Sequence, residues 1–286
     1  MTHRVAVFGL LRWIDPARLL GPGHWTIEGK NAHTTLLTHE AADLDARLRG
    51  VGIGGSPITM TADPRIPRTA VRAARTTDAR RRRETTPGFT RTGVRLDEEG
   101  RWSLTPEALA LTLAERMVGR TVIDAGCGAG GNAIAFARAG CNVVAIECDS
   151  SRIACARHNA NVYGVGKQIL FVHGEAGAVI AGMAADARRQ SQRDTVLFAD
   201  PPWGTEWPRD RVLRADVPLL DEVLRWGTEN RDWISEVHVK LPPSFDVSDV
   251  ENATAEAWYG RARGDERRVK FVTVRVRFDE KNVDDR

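Results

Sequence analysis

Residues 121–140 read TVIDAGCGAGGNAIAFARAG. A β-branched apolar run leads to Asp124, glycines follow at Gly126, Gly128 and Gly131, and small apolar residues then keep helical spacing. Strand, glycine loop and helix in that order satisfy the G-x-G-x-x-G pattern of an adenosine-binding βα turn, because residues without a side chain let a ligand lie against main-chain N–H groups. An acid about 20 residues further on takes the ribose hydroxyls in such sites, and Glu147, at the end of VVAIE, holds that place. The loop alone does not separate a nicotinamide-dependent oxidoreductase from an S-adenosylmethionine enzyme, since both must hold an adenosine.

The same alternation continues toward the carboxy terminus. Strands are expected at CNVVAIECD, QILFVHG, DTVLFADPPW and ISEVHVKLP, with helices between them at SRIACARHNANVYG, AVIAGMAADARRQ and VPLLDEVLRWG. Alternating strands and helices build a parallel sheet covered on both faces. Two late runs, ATAEAWYG and RVKFVTVRVRF, are expected to close it as an antiparallel edge pair, which gives a doubly wound, seven-stranded α/β sheet. Before it, HRVAVFGL reads as a strand and THEAADLDARLRG as a helix stopped by Gly50. GVGIGG follows that helix rather than a strand, so its glycines are expected to form a flexible loop. The chain thus divides into a smaller amino-terminal accessory or substrate-recognition region of unknown fold, residues 1–85, and an α/β domain, residues 86–286.

No apolar run approaches the roughly 18 residues of a membrane span, and the amino-terminal stretch lacks the long apolar region of a secretory signal. A cytoplasmic location without membrane contact is expected. Cys127, Cys141, Cys148 and Cys155 show no C-x-x-C spacing and read as small buried hydrophobes; His158, His173 and His238 have no metal-like spacing either, and no metal is assigned. The net charge is only +3, yet residues 61–95 hold ten arginines, four of them consecutive at Arg80, Arg81, Arg82 and Arg83, against Asp63, Asp78 and Glu84. Forked guanidinium donors suit phosphate, while a solvated linker or an exposed helix face has the same composition.

Asp124 favours an S-adenosylmethionine enzyme. A carboxylate at the strand end holds a cation such as the methionyl ammonium and repels a dinucleotide's pyrophosphate. A second motif lies at the end of the fourth strand, across the switch point where such sheets place their substrates: FADPPWGTEW, residues 198–207. DPPW resembles the (Asp/Asn/Ser)-Pro-Pro-aromatic motif of amino methyltransferases. Together with GVRLDEEGRWSLTPEALA, VIDAGCGAGGNAIAFARAG, ECDSSRIACARHNANVYGV and HVKLPP, it makes residues 89–280 similar to the trimethylguanosine synthase family of cap guanine 2-amino methyltransferases, within the class I Rossmann-like methyltransferases. The family's usual serine at the first motif position is Asp200 here, which brings the site nearer to generic base-amine methyltransferases.

The resemblance implies S-adenosyl-L-methionine as cofactor, held by Asp124, Gly126, Gly128, Gly131, Asn132, Glu147, Glu175 and Asp200. It implies a guanine-containing RNA or nucleotide as substrate, against Pro202, Trp203, Gly204 and Trp207. Asp200 and the Pro201 carbonyl would accept the two N–H groups of an exocyclic amine, and Trp203 would stack on the base, a contact worth about 1–3 kcal/mol. Thr105 and Pro106 read as the N-cap and first residue of a helix. Two other readings stay open: a small-molecule N-methyltransferase, and a catalytically silent RNA-binding module that keeps only the fold.

Overall fold

The computed structural model describes residues 1–98, 100–190, 194–203 and 207–278. In chain order the amino-terminal elements are β1 (Thr2–Phe8), α1 (Pro16–Leu20), β2 (Thr26–Glu28), β3 (Asn31–Leu37), α2 (Thr38–Leu48), β4 (Gly52–Ile53), β5 (Ser56–Pro57), β6 (Thr59–Asp63) and α3 (Arg68–Arg81). Short helices α4 (Gly100–Ser103) and α5 (Glu107–Ala114) lead into β7 (Thr121–Ala125), α6 (Gly131–Arg138), β8 (Asn142–Glu147), α7 (Ser150–Val162), β9 (Ile169–His173) and α8 (Ala176–Arg189). β10 (Thr195–Ala199), α9 (Leu220–Glu229), β11 (Ile234–Leu241), β12 (Ala253–Tyr259) and β13 (Val269–Arg277) complete the described chain.

Seven strands pair in the order β12-β13-β11-β10-β7-β8-β9. β7 to β11 run parallel, and β13 lies antiparallel between β11 and β12, so the late pair closes the edge as expected. The run TVLFA of β10 is buried at every position because helices cover both faces. One core holds Phe136, Phe198 and Met117 beneath α5, α6 and α7; the other holds Ile123, Leu197 and Trp233 beneath α8 and α9. The chain leaves β7 in both directions, to β8 on one side and β10 on the other, and a crevice opens at such a reversal, beyond the carboxyl ends of the strands.

The amino-terminal strands form a second, four-stranded sheet, β2-β3-β1-β6, with α2 and α3 packed together beside it. Its core of Val5, Val7, Ala32 and Leu44 is completed by Ala257 and Tyr259 of β12. Tyr259 donates its hydroxyl to Asp15 O at 3.3 Å, and the Arg18 guanidinium lies 4.7 Å over its ring. The four-stranded sheet is therefore seated at the carboxyl end of β12.

Three expectations change. GVGIGG is a tight hairpin, not a flexible loop: Gly54 and Gly55 have φ +61° and +74°, the pair of left-handed residues that a two-residue hairpin turn requires. Its N–H groups dock onto the other sheet's loops, Gly52 to Arg209 O at 3.2 Å, Gly54 to Pro243 O at 2.8 Å and Gly55 to Ser244 O at 3.1 Å. The cysteines divide, with Cys127 and Cys141 buried, Cys155 partly so and Cys148 exposed, all as free thiols. Thr105 does not cap α5: Pro106 is extended (φ −53°, ψ 129°), the helix begins at Glu107, and the Thr105 hydroxyl turns elsewhere. Among the described residues no helix is long and apolar enough to cross a membrane.

The segment linking α3 to the larger sheet is fixed by one buried acid. Asp265 accepts from Thr86 N (2.8 Å), Thr86 Oγ1 (2.7 Å) and Ala262 N (3.0 Å), and Lys270 Nζ pairs with it at 3.2 Å. Its side chain is 2% exposed. Replacing Asp265 with alanine takes this acceptor from a lysine and three other donors and should cost about 3–5 kcal/mol, read as a lowered urea midpoint at unchanged slope. A midpoint within experimental error of the parent would remove this anchor.

Candidate active site

The sheet register decides which side chains meet at the crevice. Ala199, the last residue of β10, pairs with Ala125 of β7 on one side and Val239 of β11 on the other. Asp200 and Lys240 are the next residues on their strands, so they stand side by side. Lys240 Nζ lies 2.6 Å from Asp200 Oδ2 and 3.3 Å from Ser103 O, with the rings of Trp203 and Phe271 at 4.9 and 5.3 Å. Thr105 Oγ1 and Asn132 Nδ2 donate to the same Oδ2, each at 3.5 Å. Among the described residues no donor meets Oδ1.

Asp124, paired with Phe198 in the register, is fully buried, and neither of its carboxylate oxygens has a hydrogen-bond partner. Burial, and then the neighbouring charge of Asp200, push its carboxyl from 3.8 up to about 8. The Ala133 N–H, at the start of α6, offsets part of this without reaching hydrogen-bonding geometry. Burial also raises Asp200, and the Lys240 ammonium offsets part of that rise. One ammonium thus serves two carboxylates, with a third, Glu147, nearby on the next strand, and the site favours a cationic ligand.

The glycine loop sits over this cluster. Gly126 and Cys127 donate to Ile146 O at 2.9 and 2.8 Å, and Gly128 N donates to Glu147 Oε2 at 2.9 Å. Gly126 and Gly128 have φ +82° and +54°, and a Cβ on either would meet open space. That space is a cradle lined by main chain. Gly131 has another reason to be glycine: a Cβ there would lie 2.5 Å from Leu104 Cδ1, so it permits close packing of the segment that carries Thr105. The third left-handed glycine is Gly130, at φ +88°. Two orphaned buried oxygens on Asp124, a third on Asn132 and the bare glycines fit a ligand with a cationic group and an adenosine.

Asp124, Asn132, Asp200 and Trp203 come together here, with Gly126, Gly128 and Glu147 at the margin. Glu147 spends both oxygens locally, Oε2 on Gly128 N and Oε1 on Asp149 N at 3.0 Å. Glu175 is exposed at the start of α8, near Cys148 rather than Asp200. Pro201 is buried and Pro202 exposed. Trp203 is half-buried, donates Nε1 to Lys240 O at 3.2 Å and meets Trp207 edge-on at 6.5 Å between centroids. Gly204 lies outside the described residues. Lys240 and Thr105 are the residues that the sequence did not single out for this site. A lysine inside the apolar run VHVKLPP was the available signal, since a charge on a strand covered from both faces needs a partner. A separate open concavity of about 930 Å³ lies on the four-stranded sheet, lined by residues such as Arg4, His24, His33 and Thr61, away from this chemistry. Among the described residues no group of three His, Cys, Asp or Glu is placed to hold a metal ion.

Comparison with known proteins meets this geometry. Residues 119–218 match the RNA cap guanine-N2 methyltransferase family. The match spans β7 to the loop after β10, the part of the chain that carries Asp124, the glycine loop and Asp200. Trimethylguanosine synthase of Schizosaccharomyces pombe is 35% identical over 119 residues, 39% of this chain and 47% of that protein. Its counterpart in Saccharomyces cerevisiae is 28% identical over 137 residues, 46% of this chain and 41% of that one. The chain therefore spans less than half the length of either relative. A solved structure from Porphyromonas gingivalis described as a methyltransferase superposes with a TM-score of 0.52 at 18% identity, covering 75% of this chain and 52% of that one, and shares the fold. The resemblance read from the motifs stands, on a class I Rossmann-like sheet.

Lys240 gives the first test of the site. Lys240→Met strands the Asp200 carboxylate in a largely buried position and should cost about 3–5 kcal/mol. The double variant Lys240→Met, Asp200→Asn should recover part of that loss, because no charge is left to bury. Equal losses for single and double variants in urea titrations would show that the ion pair does not hold the site together.

Proposed function

We propose that this chain is an S-adenosylmethionine-dependent N-methyltransferase acting on the exocyclic 2-amino group of a guanine-like base, in RNA or in a nucleotide. The observation that carries the reading is Asp200, which is held by Lys240 on one oxygen with the other left to accept, beside the partnerless carboxylate of Asp124. The family match supports the guanine, and the free thiols agree with a reducing, cytoplasmic setting. The division at residues 85 and 86 belongs to the same reading, with residues 1–85 as the substrate-recognition part.

Asp124 and Asn132 would hold the methionyl end of the cofactor, with Gly126 and Gly128 against its adenosine and Glu147 at the ribose. When bound, S-adenosylmethionine supplies a methyl group on a cationic sulfur. A purine amine is a weak nucleophile because its lone pair is delocalised into the ring. Asp200 Oδ1 would accept one N–H and the Pro201 carbonyl the other, both held in place before reaction by the stiff Pro201–Pro202 backbone. Lys240 favours the ionised form of Asp200, the form that accepts rather than donates. It also lies 4.9 Å from the centre of the Trp203 ring, the ring that would stack on the base. The nitrogen that gains the methyl is briefly cationic and acidic, and its proton passes to Asp200 or to water.

Asp200→Ala should lower kcat far more than it raises the Michaelis constant for the cofactor, since the acceptor works in the transition state. Trp203→Phe should keep more activity than Trp203→Ala, because only phenylalanine retains a stacking face. Single-turnover transfer to a guanosine nucleotide by Asp200→Ala at the parent's rate would end this mechanism.

The proton on Asp124 gives a second test. In the free protein its carboxyl is raised from 3.8 to about 8, so the folded state binds more protons than the unfolded state between those values. Its contribution to stability is complete below about pH 4 and is lost as pH rises toward 8. A cationic ligand must displace that proton. Affinity for S-adenosylmethionine should therefore rise from pH 6 to 8, by up to about tenfold per unit, with proton uptake by the buffer in calorimetry. Asp124→Asn should flatten both the binding and the stability profiles; a parent profile without slope would remove Asp124 from the cofactor site.

A further inference from the structure

The arginine-rich run is a helix rather than a linker. α3 buries Ala74 and packs Ala70 against α2, and three of its arginines are neutralised: Arg75 pairs with Asp45 at 3.8 Å, Arg81 with Asp43 at 3.5 Å, and Arg82, at the helix end, with Asp78 at 2.9 Å. Arg68, Arg72, Arg80 and Arg83 are exposed, and among the described residues no carboxylate pairs with them. At 3.6 residues per turn Arg68, Arg72 and Arg80 lie on the side away from Ala74, in a stripe about 18 Å long, and Arg83 follows in the turn just past the helix end. Arg68 and Arg72 are four apart, a like-charge spacing that costs the helix a few tenths of a kcal/mol. Asp45 and Asp43 of α2 thus pair with Arg75 and Arg81, Asp78 of α3 serves Arg82 together with Arg268, and Arg68, Arg72, Arg80 and Arg83 have no carboxylate partner among the described residues.

The stripe continues toward the catalytic edge. Gly264 N donates to Glu84 O at 2.9 Å, which sets the exposed Arg263, just past the carboxyl end of β12, beside the end of α3. From Thr86, pinned by Asp265, the chain runs on to Thr105 and its contact with Asp200. The crowding of cations reaches inside as well. Arg47 of α2 is lowered to about 10, first by burial and then by the charges of Arg267 and Arg268. The exposed apolar residues of α3 are the alanines Ala73 and Ala79, so the outward face lacks the large aliphatic and aromatic residues with which a helix enters a lipid surface.

We propose that the outward face of α3, with Arg263, is the track for the phosphate backbone of a single-stranded RNA whose guanine enters the crevice at Asp200. This rests on the guanine methyltransferase reading and adds where the rest of the substrate lies. Such a strand neutralises several phosphates, and its affinity falls with salt at a log–log slope of about −0.7 per contact.

The experiment measures affinity of the full chain for a short single-stranded RNA with a 5′ guanosine, across salt. The variant is Arg68→Gln, Arg72→Gln, Arg80→Gln, Arg83→Gln; the control is Arg225→Gln, an exposed arginine on α9. Four contacts predict a slope shallower by about 3 in the variant, and hence a loss in the parent between 0.05 and 0.2 M salt that is about 50-fold larger. Methyl transfer to a free guanosine nucleotide should be equal in parent and variant, since no replaced residue touches the crevice. Equal slopes, an equal effect of the Arg225 control, or a stripe-dependent binding of anionic lipid vesicles without an RNA effect would each overturn the track. A parent that methylates no guanosine would instead defeat the underlying reading, while the RNA slopes still report on the stripe.

Discussion

Two carboxylates at the ends of adjacent strands share one ammonium, and the architecture around the crevice follows from that shortage. Charges in a dry interior interact far more strongly than in water, so Asp124 and Asp200 are not both ionised at little cost. Lys240 neutralises the one it touches. This arrangement needs β11 on the far side of β10 with its register set at Val239, a covering segment that brings Ser103 O and Thr105 over the pair, and aromatic walls at Trp203 and Phe271. What remains is Asp124, a buried acid with neither oxygen hydrogen-bonded and its carboxyl raised to about 8.

The loops at the same edge do double duty. Those that follow β10 and β11 carry the Asp200 motif and also receive the N–H groups of the β4–β5 hairpin. The amino-terminal region is therefore not a remote appendage: its β4–β5 hairpin leans on the rim of the crevice through main-chain hydrogen bonds, and its four-stranded sheet leans on β12 through Tyr259. Gly54 and Gly55 enforce the fit, since a Cβ would come within 2.5 Å of Leu11 and Trp13 at the first and within 2.6 Å of Asp246 at the second.

Strands and helices from residue 121 onward were legible because both faces of the sheet are covered and its central strands β8 and β10 are nearly continuous apolar runs, while strand and helix patterns alternate along the chain. The glycine loop, Asp124 and Asp200 were legible because their spacing is local. Lys240 was not: its partner lies 40 residues upstream on the neighbouring strand, and strand order is not written in any local pattern. Thr105 was misread because a threonine before a proline looks like a cap, whereas Pro106 stays extended and frees the hydroxyl for Asp200. Most of the four-stranded sheet escaped notice because β2 is exposed throughout and β6 nearly so, leaving little apolar alternation to read.

The shared core at Tyr259 orders the events of biosynthesis. A ribosome releases β1, β3 and α2 early, but the ring that closes their core belongs to β12, about 200 residues later, a delay on the order of 10–40 s at 5–20 residues per second. Throughout that interval the core of Val5, Val7 and Leu44 lacks Ala257 and Tyr259. The amino-terminal sheet is thus made well before its core is complete, and a chain cut short before β12 leaves the side of that core that Ala257 and Tyr259 cover open to water.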